Sequence, residues 1–199
     1  MKEGSSLVDE ALRLNARYVE EVVIGWDLCP WAAQAWRQGA VARRVLVEPE
    51  PTVTAVLAFL DDIAARPATS IGLVICPRAD LDDAAWGTFA ERVRRADRAR
   101  RPAGSGAPFL LAAFHPLAGA EASSAAGANA LIPLVRRTPD PMLQLVRASL
   151  IDGLARGGRD VSGEIARANF ATVSARTPAA LDAAIRDIRR DRDASYARL

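Results

Sequence analysis

The chain contains one histidine, His115, and its position is the first indication of chemistry. It follows the apolar run 109–114, which predicts a buried strand, and Pro116 comes directly after it. A residue at the carboxyl end of a buried strand lies where open α/β sheets usually bind their ligands. Because imidazole exchanges protons near neutral pH, His115 could serve as a general base or orient a substrate through a hydrogen bond. The alternative is a structural histidine whose ring is satisfied by backbone groups.

An arginine pair, Arg136 and Arg137, comes before a segment that is typical of a helix start. In that segment Asp140 and Pro141 suit the cap and the first position of a helix, so we predict a helix that ends at the glycine pair 157–158. On this helix Arg147 falls on the apolar stripe made by Leu143, Leu150, Ile151 and Leu154. A charge on a core-facing stripe must be paired or must face a cavity.

These features together predict an anion site. Guanidinium groups beside a helix N-terminus attract anions, because unpaired N–H groups and the helix dipole add to their charge. We expect Arg136, Arg137 and Arg147 to bind an anionic group, with the hydroxyl of Thr138 as a further donor. The negative charge of Asp140 opposes this interpretation, and solvated surface arginines are the alternative.

A second candidate site surrounds Cys29, which lies in a proline-stopped turn between Trp26 and Trp31. Its thiol could be a nucleophile activated by His115, and Trp26 could contact a substrate. The neighbouring Asp27 would raise the pKa of the thiol, which opposes nucleophilic catalysis. The alternative is that the turn packs on the core and Cys29 fills a gap there.

The elements that must position these residues alternate between helices and strands. Apolar periodicity predicts helices over 5–23, 53–63 and 177–194, and strands over 41–47, 71–76 and 109–114. A further helix is predicted after its acidic start at Asp80, Asp82 and Asp83. Two strands are continuously apolar, which favours an α/β fold whose small mixed or parallel sheet of three or four strands is covered by about five helices. A ferredoxin-like α+β arrangement is the main rival, and we expect a single domain over 1–199.

Two further features of this arrangement bear on the site. Cys76 and His115 each end an apolar strand before a proline, so both would emerge at one sheet edge if the strands are parallel neighbours. Cys76 alone is more typical of a small buried residue. The segment 117–132 is rich in Ala, Gly and Ser, with Asn129 as its only amide, and it could be a lid that brings Asn129 to a substrate or a disordered loop.

Composition excludes several classes of protein. Half of the 199 residues are hydrophobic and the net charge is +2, so the chain should be globular and gives no indication of nucleic-acid binding. It has no apolar run long enough to span a membrane and no apolar signal core near its start, so we expect a cytoplasmic protein with reduced cysteines. Two cysteines and one histidine show no metal-binding spacing, and we predict neither metal nor cofactor.

Three motifs in the same order resemble DUF1415, a family of unknown function. Its members carry Leu-Cys-Pro-Phe-Ala near the N-terminus, Phe-His-Pro after an apolar strand, and Asn-Arg-Ser-Pro-x-Pro before Leu-Leu-Arg. This chain has Leu-Cys-Pro-Trp-Ala at 28–32, Phe-His-Pro at 114–116, and Arg-Arg-Thr-Pro-Asp-Pro at 136–141 followed by Leu-Val-Arg at 145–147. It departs from the pattern after His115, where the family is aromatic-rich and acidic, and at Ala148, where the family has an acid. The resemblance covers 7–170 and implies no particular reaction.

In size and composition the chain is also similar to the pair of proteins that closes the aziridine ring of azinomycin-like antibiotics, although no motif carries that likeness. The likeness implies a reaction in which sulfate leaves as a neighbouring amine attacks. An arginine-lined site that orients the amine, holds the leaving sulfate and excludes water would suit this chemistry.

Three hypotheses about function follow. The first is a small-molecule enzyme of the lyase or transferase type, in which Arg136, Arg137 and Arg147 bind an anionic substrate or leaving group and His115 orients or deprotonates the nucleophile. The second is a hydrolase or acyltransferase that uses Cys29 and His115. The third is a non-catalytic subunit of a hetero-oligomer, and a homo-oligomer is also open. In the third hypothesis the segment with Trp26, Trp31 and Trp36 would form the interface, since tryptophan is favoured in binding hot spots. The alternative is that these three side chains lie in the core.

Overall fold

The computed structural model describes residues 6–102, 104–119, 130–155 and 161–199. Within these ranges the helices are α1 (Leu7–Tyr18), which continues as a π-helical turn (Val19–Ile24), α2 (Ala32–Arg37), α3 (Val53–Ala64), α4 (Asp83–Ala99), α5 (Ile132–Val135), α6 (Ala148–Ala155), α7 (Val161–Arg176) and α8 (Pro178–Tyr196). The strands are β1 (Val41–Val45), β2 (Ile71–Ile75), β3 (Phe109–Phe114) and β4 (Met142–Arg147). The predicted α/β fold with a small mixed sheet is therefore confirmed.

The four strands form one sheet in the order β1-β2-β4-β3. β1 runs parallel to β2, whereas β4 is antiparallel to both of its neighbours. At one end of β4, Met142 is paired with Phe114 of β3, and at the other end Arg147 is paired with Phe109. The carboxyl ends of β2 and β3 therefore lie at the same end of the sheet, although β4 separates the two strands and they are not neighbours.

Helices cover both faces of the sheet, because alternate side chains of each strand point to opposite sides. On the first face, the buried strand residues Ile71, Leu73, Ile75 and Met142 pack against α1, the π-helical turn, α2, α7 and α8. On the second face, Val74, Leu143, Leu145 and Phe109 pack against α3 and α4. This three-layer arrangement explains why β2 reads as a continuous apolar run.

Gly72 allows α3 to lie close to the second face. A Cβ atom at this position would lie 2.7 Å from Cδ1 of Ile63 and 3.2 Å from the ring of Phe59. Glycine in the interior of a strand often marks such a close approach.

The predicted helix from Asp140 to the glycine pair 157–158 is wrong over its first half. Residues 142–147 form the inner strand β4, and a helix begins only at Ala148. Alternation with period two decides this, since Leu143 and Leu145 enter the second-face core while Met142 enters the first. Side chains of β4 alternate between two faces that are both covered by helices, so most of them are apolar. A short apolar run of this kind fits a helix as well as a strand. No helix in the described ranges is both long enough and apolar enough to span a membrane.

Candidate functional site

A cavity of about 320 Å³ lies between the first face of the sheet and the helices that cover it. Side chains from all four strands form its floor, and the π-helical turn, α2, α5 and α7 form its walls. Its large lining residues are apolar or aromatic: Val19, Val23, Leu28, Trp31, Trp36, Val41, Ile71, Leu73, Phe114, Ile132, Val135, Met142, Val146 and Ile165. A mainly apolar cavity with a few polar groups is typical of small-molecule sites.

Arg136 is the only charged side chain among the described residues that line this cavity. It is exposed, and in the described part of the chain its guanidinium takes part in no hydrogen bond or ion pair. The other polar lining groups include the amides of Gln144 and Asn169 and the thiol of Cys29. Neither amide was singled out from the sequence, although Gln144 is the one uncharged polar residue of β4 and could have drawn attention for that reason.

Backbone contacts hold Arg136 at the rim of the cavity. Its N–H donates to the carbonyl of Ile132 at 3.1 Å, which ends α5 at this residue, and its carbonyl accepts from the N–H of His115 at 3.1 Å. The segment that carries Arg136 is therefore tied to the end of β3.

The side chains that follow Arg136 are engaged within the protein. Arg137 donates through Nε to the carbonyl of Ala118 at 3.1 Å and through Nη1 to Asp182 on α8 at 2.9 Å. Thr138 is buried, and its hydroxyl donates to the carbonyl of Asp140 at 2.7 Å. The structure thus brings Arg136, Arg137 and Thr138 to the end of the sheet where β3 leads into His115. Of the two arginines, only Arg136 presents a guanidinium that is open to a ligand.

The imidazole of His115 is buried and bonded to backbone groups at both nitrogens. Nε2 lies 2.9 Å from the carbonyl oxygen of Leu81, and Nδ1 accepts from the N–H of Leu117 at 3.2 Å. A carbonyl only accepts and an amide N–H only donates, so these two contacts fit a ring with its proton on Nε2. Oδ1 of Asp83 lies 4.0 Å from Nδ1, beyond hydrogen-bond distance. In this arrangement the ring offers a substrate neither a free lone pair nor a free N–H.

Cys29 and His115 are not brought together. Cys29 is half-buried in the wall of the cavity on the first face of the sheet, whereas the ring of His115 contacts the connection that leads to α4 on the second face. Burial raises the pKa of the Cys29 thiol, and the backbone N–H groups of Trp31 and Ala32 offset only part of that rise. The thiol is therefore mostly protonated near neutral pH.

Arg147 lies at the opposite end of β4 from this site, so its placement in one site with Arg136 and Arg137 is wrong. Its guanidinium donates to the carbonyls of Thr69, Ile63 and Arg66 at 2.7, 3.1 and 2.9 Å. It also stacks over the ring of Phe109 at 4.7 Å. Strand β4 carries Arg147 away from His115, and its charge is compensated by the carbonyl groups at the end of α3 and in the turn that follows.

Asp140 forms a buried polar cluster instead of capping a helix. Its carboxylate accepts from Nε of Arg192 at 2.6 Å and from the hydroxyl of Tyr196 at 2.8 Å, so it joins the start of β4 to α8. Burial raises the pKa of Asp140 from its ordinary value, against the opposing effect of Arg192. Burial also raises the pKa of the nearby Cys76 thiol to about 12, which fits a buried and unreactive cysteine.

The remaining candidates occupy different environments. Trp26 is 5% exposed, and the guanidinium of Arg176 stacks over its ring at 3.9 Å, so Trp26 is a core residue outside the cavity. Trp31 and Trp36 line the cavity and are half-buried. Asn129 and most of the predicted lid lie outside the described residues. In the part of the chain that the structure describes, no cluster of His, Cys, Asp or Glu could hold a metal ion.

Comparison with known proteins gives one match. The family model described as a protein of unknown function, DUF1415, matches residues 10–183. No curated protein and no solved structure matches the chain.

Proposed function

The chain belongs to the DUF1415 family, and since that family has no assigned function, we propose from the site alone that the protein is an enzyme for a small anionic molecule with an apolar body. The substrate occupies the cavity on the first face of the sheet, with its anionic group at Arg136. The single observation that carries this proposal is the guanidinium of Arg136, which has no ion-pair partner among the described residues, at the rim of a mainly apolar cavity.

The size and walls of the cavity support a ligand of this kind. A volume of about 320 Å³ corresponds to roughly ten water molecules at their share of liquid volume. Trp31, Trp36 and Phe114 offer flat apolar surfaces to the body of the ligand. A guanidinium binds carboxylate, sulfate or phosphate through paired N–H groups, and the apolar surroundings strengthen that attraction.

The proposed reaction is the transfer or elimination of an anionic leaving group. A nucleophilic amine within the substrate bonds to the carbon that carries the leaving group, the leaving group departs with the bonding electron pair, and the amine releases its proton to solvent. Negative charge thereby grows on the oxygen atoms of the leaving group, and the fixed positive charge of Arg136 stabilises that change. The apolar walls shield the body of the substrate from water, while the anionic group stays at the rim. His115 contributes by holding Arg136 in place through its backbone N–H, while its ring is bonded to Leu81 and Leu117.

A pair of fluorescent probes tests the anion site directly. Anilinonaphthalenesulfonate has an apolar body with one sulfonate, and N-phenylnaphthylamine has the same body without it. We expect Arg136→Ala to weaken binding of the sulfonate at least tenfold and to leave binding of the neutral probe within twofold, because only the sulfonate meets the guanidinium. Arg136→Lys should retain part of the difference, since it keeps the charge.

Arg190→Ala is the matched control, because Arg190 is an exposed arginine of α8 and its side chain is 73% accessible. This variant should bind both probes as the wild type does. If Arg136→Ala weakened the binding of both probes equally, or left the preference for the sulfonate unchanged, Arg136 would not be the group that binds the anion.

A second candidate activity is acyl transfer through the thiol of Cys29, which is favoured by its position in the cavity wall beside two backbone N–H groups. In such a reaction the thiolate attacks the carbonyl carbon of an ester, and the alkoxide or phenolate leaves. A burst of nitrophenol from nitrophenyl acetate, present in the wild type and lost in Cys29→Ser, would support this activity. Without a burst, Cys29 is a wall residue only.

A further inference from the structure

The outer edge of β3 offers backbone groups that pair with no strand among the described residues. β3 is the last strand of the sheet, and the N–H of Ala148 donates to the carbonyl of Pro108. Because hydrogen-bonding direction alternates along a strand, Leu110, Ala112 and Phe114 bond to β4, whereas Phe109, Leu111 and Ala113 point outward. In the described part of the chain, the outward N–H groups of Leu111 and Ala113 have no strand partner.

A groove of about 1080 Å³ runs along this edge. Its sides are the last turns of α4, the turn 104–107 and β3 itself, and it meets the cavity at Ala112, Gln144 and Val146. Leu110 lies in the groove on the first face and is 48% exposed, which is unusual for a large apolar residue within a strand.

The α4 side of the groove is strongly basic. The stretch 91–101 holds six arginines and two acids. Asp97 is occupied by Arg100 and Arg101, and Glu91 lies 2.9 Å from Arg94 but 3.9 Å from Arg95. Arg98 lines the groove and takes part in no ion pair within the described ranges.

Arg94 contacts the strand edge itself. Its Nη2 donates to the outward carbonyl of Leu111 at 3.1 Å. Charged side chains on edge strands commonly block unwanted pairing, and this contact is of that kind. A strand that pairs with β3 must displace the guanidinium, and displacement is favourable only if the new strand supplies a carboxylate for it.

We propose that this edge binds an acidic, extended segment of a partner protein, which adds to the sheet as a fifth strand beside β3. Backbone bonds to Leu111 and Ala113 would fix its register, as in other cases of strand addition. Alternate side chains of the segment face opposite sides, so acidic residues meet Arg94, Arg95 and Arg98 while apolar residues cover Leu110. The binding segment is therefore one in which acidic and apolar residues alternate.

A second copy of this chain is disfavoured as the occupant. If β3 paired with β3 of another copy, each strand would bring the arginine-rich end of its own α4 to the interface. The two acids that line the groove, Glu91 and Asp97, are already paired with arginines of their own helix or the turn after it, so they leave little to compensate these charges. Like charges placed opposite each other in an interface oppose association.

The test uses a fluorescein-labelled peptide of four Glu–Val repeats, titrated with the whole protein and followed by fluorescence anisotropy. We expect saturable binding that a Lys–Val peptide does not reproduce. Arg98→Glu should weaken binding at least tenfold, whereas Arg190→Glu, the same charge change on the exposed face of α8, should leave it within twofold. Arg98→Glu should also bind anilinonaphthalenesulfonate normally, which separates this surface from the cavity.

Amide hydrogen exchange distinguishes strand addition from loose attraction between charges. On peptide binding, the N–H groups of Leu111 and Ala113 should exchange at least tenfold more slowly. Ala113→Pro removes one outward N–H and leaves the bonds to β4, so it should weaken binding as well. The proposal is overturned if the peptide does not bind, if it binds without protecting these two amides, or if sedimentation shows that the protein dimerises through β3 instead.

Discussion

Nε2 of His115 and the carbonyl oxygen of Leu81 lie 2.9 Å apart, and this contact joins the end of β3 to the connection between β2 and α4. The same ring accepts the N–H of Leu117, and the backbone of His115 holds Arg136. One residue thus ties together three segments around the sheet edge. The general-base role considered for His115 stays a prediction, but any such role requires one of these ring contacts to break.

The ring contacts give a first testable consequence. We expect His115→Ala to lower the free energy of unfolding by about 1–3 kcal/mol, because it removes a buried ring together with its hydrogen bonds to the backbone of Leu81 and Leu117. His115→Gln and His115→Asn should each recover part of this loss, since the first can supply a donor near Nε2 and the second an acceptor near Nδ1. Nitrogen NMR of the single imidazole should show the neutral form protonated at Nε2. A proton on Nδ1 would contradict the assignment.

Arg147 should act on stability and not on ligand binding. Arg147→Met leaves three carbonyl groups without their charged donor, so unfolding should become easier by about 2–3 kcal/mol. Binding of anilinonaphthalenesulfonate to the folded variant should stay within twofold of the wild type, because Arg147 lies at the other end of β4. If the variant is as stable as the wild type but loses the sulfonate probe, Arg147 belongs to the anion site after all.

Gly72 and Ile63 should be energetically coupled. In Gly72→Ala the new methyl group would lie 2.7 Å from Cδ1 of Ile63, so we expect a loss of about 1–3 kcal/mol from overpacking. Ile63→Val removes that Cδ1 atom and by itself should lower stability by about 0.5–1.5 kcal/mol. Urea unfolding of the double variant should show a loss smaller than the sum of the two, and strict additivity would show that the two positions do not touch.

The pairing of α1 with α8 should depend on pH through Asp191. Hydrogen bonds from Arg13 and then Arg17 lower the pKa of Asp191 to about 2 from its ordinary value of 3.8. A lowered pKa means that this contribution to stability is complete above pH 3.8 and is lost as the pH falls toward 2. Since the ion pairs are partly solvated, we expect Asp191→Asn to lose only about 1 kcal/mol at neutral pH.

Urea unfolding at several pH values checks this expectation. The difference in stability between the wild type and Asp191→Asn should shrink as the pH falls from 3.8 to about 2. Asp193→Asn is the control, because Asp193 is 69% exposed and pairs only with Arg192 in the described part of the chain, so it should show a smaller and flatter difference. A constant difference for Asp191→Asn across this range would contradict the assigned pKa.

Local signals were sufficient to predict several elements. Strand β3 has the predicted bounds, α3 starts at the predicted residue Val53, and α8 starts at Pro178, one residue after the predicted start. The structure shows Thr52 and Thr177 as the caps of these two helices. Each of these depends on residues that are close in sequence: an uninterrupted apolar run, a hydroxyl beside free N–H groups, or a proline at the first helical position.

The candidate site depends on contacts that sequence does not record. Arg136 and Arg147 are equally charged, yet Arg136 lies at the rim of a cavity and Arg147 is bonded to three carbonyl groups. The reason is that Arg136 precedes β4 and Arg147 ends it, so they lie at opposite ends of the sheet. The local sequence around Asp140 is typical of a helix cap. In the folded chain its carboxylate instead bonds to Arg192 and Tyr196 of α8, which are distant in sequence.

Taken by itself, the sequence determined the alternation of helices and strands, the α/β class and the presence of His115 at a strand end, because each follows from local periodicity and propensity. The tertiary structure alone decided that 142–147 is a strand, that β4 separates β2 from β3, and which arginine remains open to a ligand. The physical reason is that an inner strand covered on both faces is apolar on both sides, so its sequence lacks the alternation of apolar and polar residues that marks a strand. Its identity comes from the strands that bond to it.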